Sequence, residues 1–185
     1  HRQGTTAGNF LEIGYGAAES AMGDACVAHA NGISAVYWNP AGLAFLEQNE
    51  VSFFSQPWIV DITTSFTGVG LNLGSMGNLG LSIVHTGYGS MDVTTLEMQE
   101  GTGEKYTAGD YAIGMSYGRR ITHWFGFGAT MKYISSKIWH TSAQALALDL
   151  GVKIRSHFFS FTGKEKDGMD IGMSISNYGT EMTYG

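Results

Sequence analysis

"YAIGMSYGRRITHWFGFGATMKYI", residues Tyr111 to Ile134, alternates with period two on both sides of a short turn. Tyr111, Ile113, Met115 and Tyr117 share one face of the first half, with Ala112, Gly114, Ser116 and Gly118 on the other. Beyond the turn, Phe125, Phe127, Ala129, Met131 and Tyr133 oppose Gly126, Gly128, Thr130 and Lys132. Successive side chains of a strand point to opposite faces, so the pattern predicts a hairpin with one face of large residues and one of small.

Working outward, "QALALDLGVKI" sets Gln144, Leu146, Leu148, Leu150, Val152 and Ile154 against Ala145, Ala147, Asp149, Gly151 and Lys153, and "MDIGMSISN" repeats the design. Runs of this kind place strands near Val51–Trp58, Asp61–Gly74, Leu79–Met91, Asp110–Ile121, Trp124–Trp139, Ala143–Arg155, His157–Phe161 and Met169–Tyr178, with another starting at Met182. In a soluble sandwich the apolar face packs on a second sheet and the outer face is rich in Lys, Glu and Thr. Here the second face is mostly Gly, Ala and Ser. That contrast points to an antiparallel transmembrane β-barrel whose large residues meet lipid and whose small residues line a crowded lumen.

Composition agrees. Charged residues are 14% of the chain and 27 of its 185 residues are Gly, against roughly 25% charged and 7% Gly in ordinary soluble domains. No window approaches 18 consecutive apolar residues, so a membrane would be crossed by strands rather than helices. The net charge of −6 comes without a basic stripe, which excludes a nucleic-acid partner. Trp58, Trp124 and Trp139 fall at strand ends, where barrels carry aromatic girdles. Trp124 to Trp139 projects to roughly 35–40 Å along a membrane normal, about a bilayer with its interfaces. Outer-membrane lipid is therefore an expected partner. The joins "SMGN" and "RITH" are short and the segment from Thr94 to Asp110 is long and acidic, which predicts short periplasmic turns and an external acidic loop.

Residues 1–48 do not alternate and are expected to be a compact helical plug folded into the lumen, ahead of barrel strands over 49–185. "GAAESAMGDACVAHA" is rich in Ala, a helix former. In "AVYWNPAGLAF", Pro40 pushes Asn39 out of helical geometry and starts a new short helix, Gly42 permits close approach, and Trp38 is expected against the inner wall. The lone Cys26 excludes an internal disulfide and reads as a small buried hydrophobe. The start at His1 suits a processed chain, and the last run stops in mid-pattern, as in part of a larger barrel.

"FLEIGYGAAESAMGDACVAHANGISAVYWNPAGLAFLEQNEVSF" resembles the N-terminal signature of the PorV/PorQ-type outer-membrane proteins, relatives of the FadL fatty-acid transporters. There a "GARATAMGGAFVA" run precedes "YWNPAGLA"; "ALALDLGVKI" and "IGMSISNYG" resemble later strand elements. Ala18 and Glu19 depart from the Arg-Ala of that signature, and Asp24 stands where a small residue is common. The resemblance implies a FadL-like barrel of about fourteen strands, of which this chain would form part, with an N-terminal hatch. Its PorV branch implies a non-enzymatic role in type IX secretion and surface attachment, with large secreted or surface proteins as partners. Its FadL branch implies transport of small hydrophobic molecules, with Gly87 and Gly89 in "HTGYGSM" as a candidate kink at a side opening.

Enzyme chemistry finds no footing. "GYGAAE" lacks the third glycine of a dinucleotide fingerprint, no G-x-S-x-G elbow occurs, and the six histidines lack metal-ligand spacing. No cofactor, metal or catalytic residue is expected. Asp149, inward-facing in mid-strand, is expected to pair with Lys132 or Lys153 or to accept a backbone N–H from the plug, anchoring it, with a role in transport as the other possibility.

Overall fold

The computed structural model describes residues 8–59, 61–96, 98–99, 102–156, 160, 162 and 168–184. Eight antiparallel strands form one sheet: β1 (Glu50–Pro57), β2 (Thr63–Asn72), β3 (Asn78–Asp92), β4 (Lys105–Arg120), β5 (Phe125–Ile138), β6 (Thr141–Ser156), β7 (Met169–Gly179) and β8 (Thr183–Tyr184). Strands β1 to β7 lie side by side in chain order. β8 continues along the edge of β6, pairing Ala143 and Gln144 where β7 pairs Ala147 to Ser156. From β1 to β7 each strand pairs with the next in chain order, an antiparallel meander whose joins are short except for 93–104 and 157–168. Among the described residues β1 and β7 do not pair with each other, so both sheet edges are open.

The expected strands are present with two differences. β4 begins at Lys105 rather than Asp110, because β3 and β4 resume pairing beyond a register shift between Gly87 and Ser90 and take Ser90, Met91 and Asp92 up to Thr107, Tyr106 and Lys105. The strand expected over His157–Phe161 lies outside the described residues except for Ser160, which is not in a strand. The short and long joins are also less segregated than expected. The two-residue join Trp139–His140 shares an end with the long segment 93–104, while residues 157–168 connect β6 to β7 at the other end.

Burial is inverted relative to an ordinary domain. The large residues of the alternating runs are exposed: Leu81 by 57%, Met115 by 58%, Met131 by 59% and Ile175 by 63%. The small and polar residues opposite them are covered, including Ser116, Thr130, Lys132, Asp149 and Lys153.

What covers them is the chain from residue 8 to 48, here called the strap. It is not the helical segment expected from its alanines. Only α1 (Ala17–Ala21) is α-helical; Asn9–Glu12, Ser34–Tyr37 and Pro40–Phe45 are 3-10 turns. Gly16, Gly23, Asp24 and Gly32 all have positive φ, and the extended Asn39 interrupts the chain beyond them, so no stretch reaches the roughly 12–15 residues an isolated helix needs. Contact with the sheet holds the strap instead. Its core of Phe10, Leu11, Ile33, Val36, Leu43 and Leu46 packs with Phe66, Val84, Ala112 and Ile134 of the strands.

The inward glycines make that contact possible. A Cβ on Gly118 would lie 2.6 Å from Ala44 N, one on Gly126 2.8 Å from Ala44 Cβ, and one on Gly80 2.9 Å from Ile33 Cδ1. On Gly128 and Gly151 it would overlap Pro40 and Asn39 outright. The strap backbone lies where side chains would otherwise stand, so Gly128→Ala is expected to destabilise by about 1–3 kcal/mol through overpacking. Gly87→Ala, whose Cβ meets only His85 at 3.5 Å, is the matched control in thermal melts, and limited proteolysis should open residues 8–48 first in Gly128→Ala.

Candidate functional site

The strap and its bed meet at Asn39. Ahead of Pro40 this residue is forced out of helical geometry and adopts φ −157° and ψ 108°. Its side chain is fully buried and uses both ends. Oδ1 accepts from Ala41 N at 3.0 Å, capping the 3-10 turn, and Nδ2 donates to Val27 O at 2.8 Å and Val152 O at 3.1 Å. One amide therefore ties two parts of the strap to β6. Pro40 follows as the first residue of the turn, where its missing N–H leaves nothing unpaired. Gly42 lies against the Ala35 methyl and 2.7 Å, by an added Cβ, from Ala30 O. Trp38, half-buried, packs on Cys26, Ala30 and Ala35 and sets its ring edge-on to Tyr37 at 5.1 Å, inside the strap.

Lys153 is the second tie. It is fully buried, and its ammonium donates to Ala30 O at 3.1 Å, His29 O at 3.4 Å and Asn31 Oδ1 at 2.9 Å, with Asp170 Oδ2 at 3.5 Å. Arg155 also donates to Asn31 Oδ1 and lays its guanidinium 4.2 Å over the Phe45 ring. At the turn end, Asn78 Nδ2 donates to Leu43 O at 2.8 Å, which also accepts from Leu46 N, and Asn72 Nδ2 donates to Leu46 O at 2.6 Å, just past the turn. At the opposite end Gln56 Nε2 holds Gly14 O at 2.8 Å. Within the strap, the Tyr37 hydroxyl donates to Leu11 O and Ile13 O at 2.5 and 2.7 Å. Burial pushes the Tyr37 phenol far above its ordinary pKa, with the nearby Tyr15, Asp24, Glu12 and Asp149 adding to the shift.

Asp149 is buried, as its inward position requires, and pairs with Lys132 at 2.6 Å. The backbone N–H it accepts, however, comes from Asn177 of β7 at 2.7 Å and not from the strap. Lys132 closes the triangle by donating to Asn177 Oδ1 at 3.0 Å. Asp149 thus secures the sheet edge, and the inward charge that ties down the strap is Lys153. Lys153 was legible as the second mid-strand inward charge of the same run. Asn72 and Asn78 carry no such signal, because Asn beside a glycine turn reads as turn chemistry.

Trp58 and Trp139 stand at one end of the sheet and Trp124 at the other, each between 44 and 48% exposed. Among the described residues no group of three or more His, Cys, Asp or Glu could hold a metal ion, and no helix is long and apolar enough to cross a membrane. No family model, curated protein or solved structure matches the chain. What the geometry can do chemically is hold a peptide segment firmly against a sheet through buried amides and an ammonium.

Cys26, fully buried in the strap, reports on that grip. Burial, with Glu19 and Asp24 nearby, also raises its thiol pKa, which further slows attack on an alkylating reagent. Lys153→Met removes the ammonium that holds the carbonyls of His29 and Ala30. Its Cys26 should react with a maleimide at least tenfold faster than wild type under native conditions, whereas Lys105→Met, at an exposed ion pair, should leave the rate unchanged.

Proposed function

We propose that the sheet is part of the wall of an outer-membrane β-barrel, that the strap is its luminal plug, and that the protein serves export and surface attachment of secreted proteins without catalysing a reaction. The observation that carries the membrane reading is the inverted burial: a continuous face of Val, Leu, Ile, Met and aromatic residues stands bare on the side away from the strap. In water such a face would be an aggregation site; against hydrocarbon it is the favourable solvent boundary. Closure of the barrel would take further strands between the free edges of β1 and β7, which removes unpaired backbone groups from lipid. The PorV-type role rests on the resemblance carried by Trp38, Asn39, Pro40 and Gly42.

A second reading, passage of small hydrophobic molecules, is favoured by one feature. β3 breaks register between Gly87 and Ser90, with Gly89 at φ 73°, at the position expected for a kink in the wall.

Two measurements test these readings. Met115→Arg places a charge in the middle of the bare face. In a membrane wall it should destabilise by about 2–4 kcal/mol in vesicle refolding titrations; a shift within about 0.5 kcal/mol, normal for an exposed site in water, would overturn the membrane reading. Detergent extraction of the native protein with mass spectrometry of what accompanies it addresses the role. Stoichiometric large secreted or surface proteins are the expected result, and a lone barrel carrying only fatty acid or lipid would replace export with transport.

A further inference from the structure

The two-residue join between β5 and β6 is made of Trp139 and His140, closed by the pair Ile138↔Thr141. Trp139 has φ 52°, while His140 is not among the residues of positive φ. A positive φ at the first loop residue alone is the pattern of a type II′ hairpin, where glycine is strongly preferred. A bulky aromatic residue there is a backbone outlier, and such strain persists where the side chain is needed in one place.

Its surroundings say where. Trp139 stacks on His140 at 4.7 Å and on Tyr106 at 6.1 Å with a 39° tilt. Tyr106 belongs to the inward set of β4, in phase with Ala108, Asp110 and Ala112 and opposite in phase to the bare apolar face. The Trp139 ring also borders a second hollow with His85, Thr107, Tyr111 and Lys137 of the outward set, so it caps the end of the sheet between its two faces. Beside it opens a cleft of about 540 Å³ lined by both rings and by Asp92, Thr94, His140 and Thr141. Two aromatic rings tilted by 39°, one of them stacked on the His140 imidazole, border it together with two threonines and Asp92, whose carboxylate is 3.7 Å from Lys105.

We propose that the Tyr106–Trp139 shelf binds a neutral pyranoside. The axial C–H groups of an all-equatorial sugar form an apolar, weakly positive face that suits the negative face of an indole. Its ring of hydroxyls suits the acceptor Asp92 and the donor–acceptor hydroxyls of Thr94 and Thr141. The Asp92–Lys105 pair offers a sugar hydroxyl both an acceptor and a donor, which a purely apolar ligand would not use. The site goes beyond the export role and depends only on the hairpin and the adjoining ends of β3 and β4.

Saturation-transfer NMR on the full chain in detergent, with cellopentaose and chitotetraose as probes, tests it. Saturation should concentrate on the axial ring protons of at least one glycan. Trp139→Gly relieves the strained φ and should melt no lower than wild type while weakening the signal at least tenfold. Tyr106→Leu, which leaves the turn backbone untouched, should weaken it as well, and Trp124→Phe at the other end should not. Absence of saturation with both glycans, or undiminished saturation in both shelf variants, would overturn the proposal. So would quenching of the Trp139 emission by vesicles of phosphatidylcholine brominated on its acyl chains, which would make the ring a lipid anchor.

Discussion

A single layer of sheet has two faces and one chain to cover them. Here the strap covers the face of Gly, Ala, Ser and buried charges, and the face of Leu, Ile, Met and aromatics is left bare. The rest of the structure follows from that choice. A segment can lie on the sheet with its backbone in contact only where the sheet offers no side chains, so the strap demands the glycines at 118, 126, 128 and 151. Over the glycines the contact is backbone on backbone, and polar ties there add to the apolar core that joins strap and sheet.

Those ties explain why ionised groups are tolerated inside. A buried ammonium is costly unless its donors are satisfied, and Lys153 finds two carbonyls, an amide oxygen and a carboxylate. Three of these partners belong to the strap, so the charge is stable only while the strap is in place. The coupling ties the charge to the strap: with the strap displaced, Lys153 and the Asn39 amide would lose the partners they have here.

Much of this was legible in the sequence, because strand periodicity is a strong signal when large residues alternate with mostly small ones. β5, expected over Trp124–Trp139, spans Phe125–Ile138, and the Asn39–Pro40 corner starts a short turn as expected. The strap's restriction to short helical turns was not legible. Alanine content reports intrinsic propensity, whereas Gly16, Gly23, Asp24 and Gly32 cut the chain into lengths where propensity has little weight. The partner of Asp149 was half legible. Lys132 lies opposite Ala147 on the adjacent strand, two residues along the inward face of β6, within reach of a long side chain; Asn177 becomes a partner only through an irregularity that no alternation foretells.

That irregularity is what makes the last strand usable. Between the pairs Leu150↔Ile175 and Leu148↔Tyr178, one residue of β6 faces two of β7, and Asn177 takes φ 57°. Without the extra residue, the alternation that puts Ile171, Met173 and Ile175 on the bare face would turn Tyr178 inward and Gly179 outward. With it, Tyr178 stays outward at 77% exposure, and Gly179 comes within a side chain's reach of Leu146 O and Ala147. The left-handed backbone that this requires is unfavourable for Asn by itself, and the Asp149 carboxylate on its N–H together with the Lys132 ammonium on its side-chain oxygen offsets the cost. The buried ion pair is therefore the device that keeps the phase of the edge strand, and through it the continuity of the apolar face up to the open edge of the sheet.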